Sequence, residues 1–176
     1  LENLRWSYHG RIDARFAAEV ARELLDSYFG EKTQPSFEEN YAAYQGREGG
    51  LQLLPYGDQD LEVSFRAAFF AKDRVNTEQL AQYFDAVLEN QKGNLGELAM
   101  ALAGKAALKL PVLNELHLFL DHQAKDLLPK DKLVLALGLA SLGDHAKAGE
   151  LLDAVRGLGE KIEGEAYLLD ISESDE

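Results

Sequence analysis

Between Lys132 and Val155 the chain reads KLVLALGLASLGDHAKAGELLDAV, two apolar-rich stretches separated by Leu142-Gly143-Asp144. Leu133, Leu137 and Ala140 before the break, and Ala148, Leu151, Leu152 and Val155 after it, recur at steps of three and four, the spacing of one helical face. Gly143 supplies the left-handed residue that ends a helix, and Asp144 a side chain that accepts from the free N–H groups opening the next. The stretch therefore predicts an antiparallel helical hairpin. One hairpin cannot bury its own apolar faces, so neighbours of the same kind are expected against it.

The same periodicity runs through most of the chain. Ile12, Phe16, Val20, Leu24 and Tyr28 recur at fours within Arg11 to Phe29, flanked by Ala17, Ala21 and Leu25, and Gly30 stops that helix. Asp60 caps a helix from Leu61 to about Lys72 with Leu61, Phe65, Ala68 and Phe69 inward. Asn76-Thr77-Glu78-Gln79 opens another, to Glu89, with Leu80, Tyr83, Phe84, Val87 and Leu88 inward. Asn94 opens the next, to about Leu108, and Pro111 stands as a first-turn proline for one through Gln123. Pro129 precedes the hairpin. Between Glu31 and Asp60, Pro35, Gly46, Gly49, Gly50, Pro55 and Gly57 break the pattern, leaving a long connection with room for a short β-hairpin at Leu51 to Leu54. A connection of that length is often functional. Glu163 to Ile171 reads as a short helix or a strand edge.

These readings define an all-α fold of about seven helices in stacked antiparallel hairpins, such as a short solenoid. We expect a single helical domain over residues 1–171 and an acidic tail over 172–176. Leu and Ala dominate a composition that is 46% hydrophobic, which supports helix over sheet. At 176 residues, a chain can bury roughly 70% of its unfolded surface. The excess of 31 acidic over 18 basic residues, a formal charge of -13, repels phosphate backbones and anionic lipid, so nucleic acid and membrane surfaces are poor partners. No apolar run approaches the roughly 20 residues that span a bilayer, so no membrane insertion is expected. The start at Leu1 and the acidic end suggest a piece of something longer. The chain has no cysteine, which removes disulfides, thiolate metal sites and cysteine nucleophiles.

Tyr41, Gln45, Gly49 and Leu51 follow the spacing aromatic-x3-Gln-x3-Gly-x-Trp, with Leu51 in place of the Trp. This resembles the repeat of terpenoid-cyclase and prenyltransferase-like α/α toroids. The following GGLQLLPYGDQDLEVSFRAAFF is similar to a passage in the helical toroid of bacterial α-macroglobulin-like surface proteins, and the late hairpin resembles one of theirs. In physical terms, the glycines let the loop bend tightly beneath a helix start while Gln45 can tie backbone groups between neighbouring hairpins. The resemblance covers Phe37 to Val155. It implies a helical shell, a partial α/α toroid, whose partners are a protein or peptide and other domains of the same parent chain, at an extracellular or cell-surface location.

The catalytic versions of that family lack their residues here. The macroglobulin thioester needs a cysteine, as does the zinc set of the prenyltransferases, and Asp58-Gln59-Asp60-Leu61 lacks the last acid of the cyclase Asp-x-Asp-Asp motif. A weaker resemblance links Gly143 to Ala148 with tetratricopeptide hairpins, but Ala136 and Lys132 replace that family's usual Gly and Trp, and no copy stands roughly 34 residues away.

Neither a cofactor nor a metal is expected. Asp58, Asp60 and Glu62 offer oxygen ligands to a hard cation, but Asp60 reads better as a cap. His117 and Asp121 share a helical face while His122 points elsewhere, which suits a surface pair better than zinc. Trp6, Tyr8 and His9, with Tyr41, Tyr44 and Tyr56, serve either recognition on a concave face or packing. The binding candidates are Trp6, Tyr41, Gln45, Tyr56, Asp58 and Asp60. The functional expectation is a non-catalytic scaffold or protein-interaction domain of a larger exported bacterial protein of α-macroglobulin-like type. The alternatives are a tetratricopeptide-like peptide adaptor, or a toroid-class enzyme acting on glycan or isoprenoid through clustered acids.

Overall fold

The structure, a computed structural model, describes residues 10–30, 41–90, 94–156, 160–162 and 166–168. Among them are seven α-helices: α1 (Ile12–Phe29), α2 (Leu61–Phe70), α3 (Thr77–Glu89), α4 (Leu95–Ala107), α5 (Leu113–Gln123), α6 (Pro129–Ser141) and α7 (His145–Arg156). The fold is all-α, with one small antiparallel pair, β1 (Glu160–Ile162) and β2 (Ala166–Leu168), in the register Glu160 to Leu168. The described part of the ambiguous C-terminal stretch is therefore strand. Trp6, Tyr8, His9 and the acidic tail lie outside the described residues. No helix among the described residues is long and apolar enough to cross a membrane. The chain groups into two compact units, Leu1–Ala86 and Val87–Glu176.

In the first unit, α1 ends at Gly30, whose left-handed backbone lets its N–H reach the Leu25 carbonyl. The buried residues of α1 are Ile12, Phe16, Ala18, Ala21 and Leu25. This corrects the predicted stripe, because Leu24 is 37% and Tyr28 78% exposed. A row of residues at fours drifts by about 40° per step around a helix with 3.6 residues per turn. Ile12 and Tyr28 thus face different surroundings. On α2 the buried side is Val63, Ser64, Phe65, Ala67 and Ala68, with Leu61 and Phe69 half-buried. Leu80 and Phe84 of α3 complete this core with Tyr41, Tyr44 and Leu51. No strand hairpin forms at Leu51 to Leu54; isolated bridges join Gln45 to Leu51 and Gln52 to Gln59 instead.

In the second unit, Asn94 and Glu97 form a reciprocal capping box that opens α4. Pro111 lies outside α5, whose N-cap is Val112, so its predicted first-turn role is not met; Pro129 takes that role in α6. The α6–α7 turn follows the sequence closely. Gly143 has φ 92°, and the Asp144 carboxylate accepts from the Lys147 N–H at 3.1 Å. On α7 the buried residues are Ala148, Leu151 and Val155. The face of α6 differs from the expectation: Leu135, Ala136, Gly138 and Leu139 are buried while Leu137 is 51% exposed. The run LVLALGLA offers no polar contrast by which periodicity could select a side.

Small residues let α4 and α6 approach closely. Ala99, Ala103 and Ala106 are fully buried, and a Cβ added at Gly138 would lie 3.0 Å from the Ala103 Cα. Gly138→Val should therefore cost about 1–3 kcal/mol, since a packed backbone must move. Gly149, within α7, has open space around it, and Gly149→Ala should add about 0.5–1 kcal/mol. Urea denaturation of the two variants checks both signs; equal stability would contradict the close crossing.

Candidate functional site

The irregular connection is held by side chains. Gln45 sits just after a 3-10 turn, Tyr41–Tyr44, and its carboxamide bonds in two directions. Nε2 donates to the Gly49 carbonyl at 2.8 Å and to the Asn76 carbonyl at 2.9 Å, while Oε1 accepts from the Asn76 N–H at 2.9 Å. The side chain thereby mimics a strand partner for the residue that precedes α3. Asn76 in turn caps that helix by accepting from the Gln79 N–H.

Glycines make the approach possible. At Gly49, φ is 94° and an added Cβ would stand 2.0 Å from the Gln79 carbonyl oxygen; at Gly50 it would stand 2.7 Å from the Tyr83 ring. The buried Ser64 hydroxyl accepts from the Leu51 N–H and donates to the Asp60 carbonyl, both at 2.7 Å, so the loop is also stitched to α2.

A second cluster joins this loop to α1. The Tyr41 hydroxyl donates to Glu19 Oε1 at 2.9 Å, and Arg74 pairs with the same carboxylate. The Arg74 guanidinium lies 5.6 Å from the Tyr41 ring centroid, and Phe16 meets that ring edge-on at 5.6 Å. Burial, reinforced by the Glu19 carboxylate, pushes the Tyr41 phenol up to about 12.

Beside this scaffold, α1 and α2 leave an apolar groove of about 420 Å³. Phe16, Ala17, Val20, Ala21 and Leu24 form one wall, Phe65 and Phe70 the other. Phe70 is 53% exposed. The two charged residues at the groove, Asp13 and Arg66, are each matched by a residue close in sequence. Asp13 binds Arg11 through contacts of 2.7 and 3.1 Å, which with the Ala14 N–H hold its carboxyl below the ordinary range despite partial burial. Arg66 pairs with Glu62. With its charges compensated, what the groove offers a ligand is apolar area, worth about 25 cal/mol per Å² removed from water.

Of the predicted binding residues, Tyr41, Gln45, Tyr56, Asp58 and Asp60 do not line this groove, and Trp6 lies outside the described residues. Tyr41 is buried in the core, Gln45 is committed to backbone, and Asp60 caps α2 by accepting from the Val63 N–H at 2.9 Å. Tyr56 projects into solvent from the Pro55-Tyr56-Gly57 turn, 84% exposed, with Asp58 just beyond it. Among the described residues, no three His, Asp or Glu side chains converge to hold a metal. His117 pairs with Asp144 at 2.9 Å, linking α5 to the start of α7. Phe16, Ala17, Val20, Ala21, Leu24 and Phe65 stand in the sequence as buried-face positions, and the opening between their helices is what sequence does not show. Its nearest signal is an α1 apolar surface wider than one face, beside the adjacent aromatics Phe69 and Phe70.

No known protein family, curated protein or solved structure matches the chain.

Gln45→Leu should destabilise the first unit by about 1–2 kcal/mol, because the Asn76 and Gly49 backbone groups lose their partner. Gly49→Ala should cost more, adding a left-handed strain to the clash. Chemical denaturation followed by tyrosine fluorescence gives both values, and an unchanged midpoint for Gln45→Leu would remove the carboxamide tie from the account. Ionisation of Tyr41 supplies a separate check. The unfolded phenol titrates near pH ~10, so the stability from its raised folded value is intact below that pH and disappears as pH climbs through about 12. Absorbance at the phenolate band should show a late-ionising component that Tyr41→Phe removes, along with part of the alkaline loss of stability.

Proposed function

We propose that this chain is a non-catalytic helical interaction domain, a scaffold within a larger exported protein of α-macroglobulin-like type, that receives an apolar segment of a protein partner. The observation that carries this reading is the groove between α1 and α2, where Val20, Leu24 and Phe70 present apolar surface to solvent between two compensated ion pairs. A helix lying between two others buries large side chains at three- and four-residue spacing, and a groove of this shape suits that mode of recognition. Support also comes from rigidity: the walls are anchored by the Asp60 cap and by the Ile12 N–H, which donates to the Leu53 carbonyl at 3.1 Å, so binding orders little.

The test is a selection of helical peptides from a random displayed library on the wild-type domain, followed by affinity measurement on a Leu24→Asp, Phe70→Asp double variant. Both side chains are already exposed, so helical circular dichroism should be retained. Affinity should fall at least tenfold, about 1.4 kcal/mol. Peptides that bind both proteins equally would place recognition elsewhere and refute this groove as the interaction surface; failure to select any peptide would count against the reading as a whole.

A further inference from the structure

We draw no further inference here: the strongest candidate, the apolar groove between α1 and α2, belongs to the site already described and nothing in the structure shows what covers it.

Discussion

A backbone stretch with few regular pairings must find partners for its amides elsewhere, and in the first unit side chains meet that requirement, Gln45 foremost, with Gln59 and Ser64 taking the Gly50 and Leu51 N–H groups. Gln45 reaches both the N–H and the C=O of Asn76 while also holding the Gly49 carbonyl. An amide side chain suits this place because it carries donor and acceptor at the separation of a peptide group. A carboxylate could not donate, and an ammonium could not accept. Once Asn76 is held, its own side chain opens α3, and the Leu80 and Phe84 rows fall into the core. Loop and helix are thus two parts of one hydrogen-bonded arrangement.

The second unit is organised differently. There, polar ties give way to close steric contact between small residues. Gly138 against Ala103 brings α4 and α6 together, while Leu135, Leu139 and Leu151 contribute to the surrounding core. Asp131, buried at the start of α6, accepts from the Leu128 N–H at 3.2 Å, so a charged group enters the interior only where backbone donors meet it. The two units illustrate alternative answers to one problem, namely fixing an amphipathic helix against a neighbour with few residues to spare.

How much of this was legible in the sequence follows from which signals are local. Gly30, Asp60, Asn94 and Gly143 act on backbone within a few residues, so their roles as stops and caps could be read directly, and the helix count with them. The role of Gln45 in tying backbone groups could also be anticipated, though its partner Asn76 lies 31 residues away. Facing was harder to read. On α6 nearly every residue is apolar, and on α1 the row at fours winds past the buried side. The ion cluster of Glu19, Tyr41 and Arg74 joins three distant segments and has no local signature. The groove is likewise a property of two helices together, since neither α1 nor α2 alone encloses anything. The bland readings of Asp60 and Tyr41, cap and core, are the ones realised.

The space beneath the loop has a consequence for which positions can vary. With the Gln79 carbonyl only 2.0 Å from where a methyl group would begin at Gly49, this turn admits no side chain. Many buried positions of helical proteins accept volume-conserving exchanges such as Leu for Ile or Met. A glycine fixed by geometry, four residues after a glutamine that clasps the backbone ahead of a later helix, has no substitute that leaves this turn intact. Any chain that builds the same turn must keep glycine at this place, whatever its helices carry.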